Sequence, residues 1–130
     1  MIIMQFDIAL TNSPEVEPWF EGPVQNVTVA QGRDAQLSCT INNLGTYRAA
    51  WIKMETKAIL TIHRHVITRN YRISLSHSDN RHFVLHVRNV QEWDKGGYMC
   101  QVNTVPMKSE IGFLDVLGEQ LPAILSLQVE

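Results

Sequence analysis

Cys39 and Cys100 are the only cysteines in the chain. Joined, they close a large loop, a cross-link that contributes roughly 4 kcal/mol when only chain entropy is counted. Such a bond persists in an oxidising compartment, so the pairing predicts a secreted or cell-surface protein. The alternative is two buried free thiols in a cytosolic domain. The five histidines are the next groups able to do chemistry. His63 and His65 are two apart, as are side chains on one strand face, and His82 and His86 share the outward face of another expected strand. No cysteine or carboxylate joins them at a metal-ligand spacing, so neither metal nor cofactor is expected. There is no nucleophile elbow, no phosphate-cradling glycine loop and no acid pair placed together by sequence. The chain reads as a non-enzyme without a small-molecule substrate.

The elements that position the cysteines are strands. Ala35 to Ile41 alternates, with Ala35, Leu37, Cys39 and Ile41 on one side and Gln36, Ser38 and Thr40 on the other. Trp51 lies between the cysteines, and Tyr98 precedes Cys100 by two residues. That combination marks an immunoglobulin-like β-sandwich, all-β, with two antiparallel Greek-key sheets and one inter-sheet disulfide. Trp51 is expected to pack on the disulfide, and the Tyr98 hydroxyl to bond nearby backbone. Further strands are expected over 24–30, 47–53, 58–63, 66–68, 72–76, 82–88, 97–103 and 108–117. The two runs after Trp51 suit the extra edge strands of a variable-type domain. Arg72 and Asp94 are then expected to meet at one end of the sandwich as an ion pair that holds strand connections.

At 130 residues with 45% hydrophobic residues, the chain fits one domain with short extensions. Residues 1–21 read as a leader or disordered lead-in, 22–118 as the V-type domain and 119–130 as an irregular tail. Neither end carries a clear signal peptide or a membrane anchor, so the chain is expected to be truncated at both ends. The formal net charge is -2, and no basic run interleaves with aromatics, so nucleic acid is not an expected partner.

Strand alternation also predicts an outward apolar face. With Trp51 inward, Ala50 and Ile52 point out; with Tyr98 and Cys100 inward, Met99, Gln101 and Asn103 point out. With Leu114 and Val116 inward, Ile111 and Phe113 point out. These strands are neighbours in a variable-type sheet, and Ile59 to Ile62 lie beside them. A contiguous exposed apolar patch of this kind marks a protein interface; a bulge or register slip that turns some of these side chains inward is the alternative. Gln101, Asn103 and Lys53 are expected at its polar rim. Asn26-Val27-Thr28 is an N-glycosylation sequon in an expected strand, and a glycan on Asn26 would leave the opposite sheet for partners.

Several runs resemble one family more closely than Cys-Trp-Tyr-Cys alone requires. They are Asn26 to Ala30, Ala58 to His63, Val66 to Thr68, Arg72 to Ser74, Gly97 to Thr104 and Pro106 to Val116. The chain is similar over about Gly22 to Val116 to the first immunoglobulin domain of the insect Dpr-interacting proteins, relatives of lachesin and the IgLONs. The Tyr-Met-Cys-Gln and Pro-Met-Lys-Ser runs carry most of that specificity. The resemblance implies a neuronal cell-surface recognition protein that binds Dpr-type immunoglobulin domains, or itself, in synaptic partner choice. It implies a membrane connection only through parts missing from this chain. The family's binding sheet corresponds to Ile59, Leu60, Ile62, Val66 and Ile67 on one side and Met99, Gln101, Asn103 and Ile111 on the other. Val105 stands where family members often carry an acid. A structural immunoglobulin domain of a larger intracellular protein, and a secreted unanchored decoy, are the alternatives.

Overall fold

The alternating run Ala35–Asn42 forms an eight-residue strand, β3, with Ala35, Leu37, Cys39 and Ile41 buried and Gln36 and Ser38 exposed. Burying one face in this way requires a second apolar surface, and a second sheet supplies it. The structure, a computed structural model, describes residues 16–118. The expected tail 119–130 and most of the expected lead-in therefore lie outside the described residues.

In chain order the other strands are β1 (Trp19–Phe20), β2 (Val27–Ala30), β4 (Ala49–Lys53), β5 (Ala58–Ile62), β6 (His65–Val66), β7 (Ile73–Ser78), β8 (His82–Val87), β9 (Gly96–Val102) and β10 (Lys108–Leu117). A 3₁₀ turn, Glu92–Asp94, precedes β9. One sheet has the order β1-β3-β8-β7 and the other β2-β10-β9-β4-β5-β6. β5 and β6 extend the larger sheet beyond β4, as in variable-type domains. Neighbouring strands are antiparallel except β2, which runs parallel to β10.

Two boundaries differ from the sequence reading. Trp19 and Phe20, assigned to the lead-in, pair with Asn42 and Ile41. Two residues are too short a run to show periodicity, and only the neighbouring β3 edge makes them a strand. The first long strand was expected from Val24 but begins at Val27, while Val24 is buried in the core. Gly112 of β10 faces Val24: a Cβ at Gly112 would press into the Val24 side chain and lie 3.0 Å from the Gln25 carbonyl oxygen.

Trp51, Tyr98, Phe83, Leu37, Ile41 and Leu85 fill the space between the sheets. A disulfide joins Cys39 on β3 to Cys100 on β9, with Cα atoms 6.4 Å apart. Trp51 sits directly opposite Cys100 on the adjacent strand.

One end of the sandwich is closed by a polar lock. Arg72 donates to both carboxylate oxygens of Asp94, at 2.7 and 3.0 Å, and to the carbonyls of Arg88 and Asn89. Asp94 also accepts from the Gln91 N–H at 2.7 Å, and its own carbonyl accepts from the Tyr98 hydroxyl at 2.6 Å. Burial first, and then the Asp94 charge, push the Tyr98 phenol well above its ordinary pKa. The hydroxyl therefore remains a donor at every physiological pH.

Candidate partner-binding face

The outward side of the larger sheet is built by register. Ile111 on β10 lies opposite Met99 on β9, Met99 opposite Ile52 on β4, and Ile52 opposite Ile59 on β5. Four apolar side chains therefore cross four strands in one row. Directly opposite pairs on a sheet face have Cβ atoms about 5 Å apart, close enough for such side chains to touch. Ile59 is 46% and Ile111 37% exposed, while Ile52 and Met99 between them are half-buried by their neighbours. The next row is more polar: Ser109, Gln101, Ala50 and Ile62, continuing to His65. On the other side of the apolar row, Phe113 faces Gly97, and Met54 N–H donates to the Gly97 carbonyl. A Cβ on Gly97 would lie 3.2 Å from both Met54 Sδ and Phe113 Cε1, so these two side chains flank the glycine. Phe113 is 54% exposed.

Leu60 is not part of this face. Register shifts between Trp51 and Ile52, so that Trp51 pairs with Thr61 and Ile52 with Ile59. Leu60 is the extra residue of that bulge. Leu60 and Thr61 are both buried, and the Thr61 hydroxyl accepts from the Trp51 N–H at 3.2 Å. The bulge breaks the period of two on which the inward and outward assignment of β5 depended.

Val66 and Ile67 are exposed but stand at the open edge, off the rows. Val66 pairs with the inward Thr61, and the Ile67 N–H donates to the Leu60 carbonyl. Asn103 lies at one end of the face, where its side-chain oxygen accepts from the Arg48 N–H and its own N–H donates to the Arg48 carbonyl. Lys53, expected at the polar rim, is turned into the lock. Its Nζ donates to the Lys95 carbonyl and Glu55 at 3.2 Å and lies 4.8 Å from the Tyr98 ring centre. Burial opposes ionisation of Glu55, but the Gly97 N–H, its own backbone N–H and Lys53 outweigh it, and the carboxyl sits below its ordinary pKa.

The Asn26 sequon also lies differently from its expected place. Asn26 is exposed and just precedes β2, and its Oδ1 accepts from the Phe113 N–H at 2.9 Å. It therefore borders the sheet that carries the apolar row, not the opposite one. Sequence reasoning missed Met54, Gly97 and Ser109. Continuing the outward alternation from Ala50 and Ile52 would have reached Met54. The role of Gly97 is visible only once β9 and β10 are aligned.

The five histidines do not gather into one ligand set among the described residues. His82 meets Thr40 at 3.3 Å, His86 meets Ser76 at 2.7 Å, and His63 tilts against Phe83 with ring centres 5.7 Å apart. His63 is not on a strand face with His65, because its φ of 55° places it in the turn between β5 and β6. No three His, Cys, Asp or Glu residues form a metal-binding group among the described residues.

A disulfide between two sheets, a tryptophan beside it, a tyrosine corner and strands added beyond β4 make a specific combination. Residues 22–116 match the family described as Immunoglobulin V-set domain. The chain belongs to that family. It is an adhesion-type family and not an enzyme family. Among solved structures, this V-set domain is similar to a chain in the complex of Dpr1 IG1 bound to DIP-eta IG1. Identity is 47% and the TM-score 0.77, covering 78% of this chain and 97% of that one. It is 30% identical over 109 residues to Zwei Ig domain protein zig-8 of Caenorhabditis elegans, covering 83% of this chain and 41% of the relative. It is 29% identical over 94 residues to Cell adhesion molecule 2 of Homo sapiens, covering 72% of this chain and 21% of the relative. The V-set domain thus spans less than half the length of these two relatives.

Proposed function

We propose that this V-set domain is a recognition and adhesion module at the cell surface or in the extracellular space. It binds a partner immunoglobulin domain, of Dpr type or a second copy of itself, through the outward face of the larger sheet. One observation carries this reading: Ile111, Met99, Ile52 and Ile59 form a continuous apolar row across four strands, and polar Gln101, Ser109 and Asn103 lie to one side. Water-excluding apolar centres with polar surroundings are the usual anatomy of protein interfaces. The similar chain comes from a complex of two first immunoglobulin domains, which supports the same partner class. In this reading Ile62 and Phe113 widen the apolar centre, Val66 and Ile67 contribute at the edge, and Gln101 and Asn103 discriminate between partners. The function served is partner choice between neurons at synapses. A glycan on Asn26 would stand at the β2–β10 margin beside Phe113 and limit how far a partner can slide that way.

The test is a binding panel of Dpr-type ectodomains and of this domain itself. Wild type should bind selectively, and Ile62→Asp should remove that binding while melting like wild type. A folded Ile62→Asp variant with undiminished binding would place the interface elsewhere.

A further inference from the structure

Residues 56–78 contain Lys57, Arg64, Arg69 and Arg72, three histidines and no Asp or Glu. Against a total of 11 basic and 13 acidic residues, the rest of the chain therefore holds seven basic and thirteen acidic, a formal charge of -6. Folding brings this acid-free stretch to one margin of the sandwich, because it supplies β5 and the edge strand β6. Lys57 immediately precedes β5 and Arg64 follows its other end. The Ile67 and Thr68 N–H groups both donate to the Leu60 carbonyl, so Arg69 emerges near the middle of β5. Arg48 joins at the Arg64 end, since its neighbour Ala49 accepts from the His63 N–H. At about 3.3 Å per residue, the charges are spread along a line of roughly 16 Å or more.

Arg72 is neutralised by Asp94, but Arg48, Lys57, Arg64 and Arg69 are exposed and make no ion pair among the described residues. Their side-chain donors also find no protein acceptor there. The permanently charged neighbours of His63 are Arg48 and Arg64, both basic, so positive potential accumulates at this corner. Burial foremost, and then these charges, lower its pKa.

We infer that the β5–β6 margin, through Arg48, Lys57, Arg64 and Arg69, is a docking strip for a linear sulfated polysaccharide of the cell surface. The disulfide places the domain in an oxidising compartment, where sulfated chains are the abundant linear polyanions. A linear polyanion uses charges arranged along an edge. A protein partner would instead need a desolvated centre, in which full charges are depleted. The inference shares with the proposed function only the extracellular setting. It uses none of the residues assigned to immunoglobulin binding.

The experiment applies the full chain to immobilised heparin at pH 7.4 and about 0.15 M salt, with desulfated heparin and an immobilised acidic protein in parallel. Wild type should be retained by heparin alone and elute on raising the salt, as expected when counterions are released. Because the whole molecule is negative, retention must come from a local strip. Each removed charge should weaken binding roughly fivefold, so Arg48→Ala/Arg64→Ala/Arg69→Ala should lose on the order of a hundredfold. Its melting temperature and its binding to immunoglobulin partners should match wild type. The inference fails if wild type flows through heparin, if desulfated heparin retains it equally, or if the acidic protein is preferred. It also fails if the folded triple variant binds heparin as wild type does.

Discussion

Arg72→Ala tests the idea that a buried ion pair locks the end of the sandwich from which Tyr98 and β9 depart. The Arg72 and Asp94 side chains are only 11% and 5% exposed. The substitution removes two charge-assisted bonds to Asp94 and leaves that carboxylate with the Gln91 N–H as its donor, at 2.7 Å. The carbonyls of Arg88 and Asn89 lose their donor as well. Breaking a buried pair from one side costs about 3–5 kcal/mol, because the remaining charge is stranded. Small domains hold only about 5–15 kcal/mol in total, and each kcal/mol moves the melting temperature of a domain this size by about 4–8 °C. The loss should therefore be on the order of 12–40 °C. Urea unfolding under non-reducing conditions, followed by circular dichroism, measures the free-energy loss, and a thermal scan with the same probe measures the temperature shift. Arg72→Lys should fall between, since an ammonium cannot reproduce the two-pronged contact. The double variant Arg72→Ala/Asp94→Ala should be less destabilised than the two single losses summed. If Arg72→Ala stays within about 1 kcal/mol of wild type, the pair behaves like an exposed one, and the lock is refuted.

Three further outcomes follow from the same geometry. Gly112→Ala should cost about 1–3 kcal/mol by overpacking against Val24 and Leu37, and Gly112→Ala combined with Val24→Ala should recover part of it in the same unfolding assay. Leu60→Ala should cost about 2–5 kcal/mol as a core truncation, whereas Ile59→Ala should leave stability within about 1 kcal/mol and weaken partner binding. Equal stability losses for the two neighbours would contradict the bulge. His63 has a pKa below its ordinary 6.5, through burial first and then Arg48 and Arg64. The unfolded chain therefore takes up a proton before the folded one does, so this contribution is intact above 6.5 and is lost as pH falls through the folded value. Melting temperatures measured from pH 7.5 to 5 should drop more for wild type than for His63→Gln.

Much of the fold was legible because it depends on strict alternation. The residues read as inward in β3, β9 and β10, namely Ala35, Leu37, Cys39, Ile41, Tyr98, Cys100, Leu114 and Val116, are all buried, because alternation gave the two faces and the Cys39, Trp51 and Cys100 pattern gave which of them met. The failures share one cause: tertiary contacts that leave no local periodic signal. Leu60 turns inward because of a bulge defined against β4, and Trp19–Phe20 become a strand only through β3. Lys53 leaves the rim because carbonyls from the turn at Asp94 and Lys95 reach it across 41 and 42 residues of sequence. The basic margin escaped a search for charge runs, since Lys57, Arg64 and Arg69 are separated by uncharged residues in sequence and are drawn to one edge only by the β5–β6 hairpin.

In the proposed function, the Ile111–Met99–Ile52–Ile59 row is where a partner immunoglobulin domain binds. Surface plasmon resonance of Ile111→Asp against the partner selected from the panel tests it most directly. An anchor at the centre of an interface costs about 2 kcal/mol or more when destroyed, which is roughly 30-fold in affinity. Ile111→Asp should lose at least that much, with an unchanged melting temperature and an intact disulfide. Wild-type affinity in a folded Ile111→Asp protein would contradict that placement.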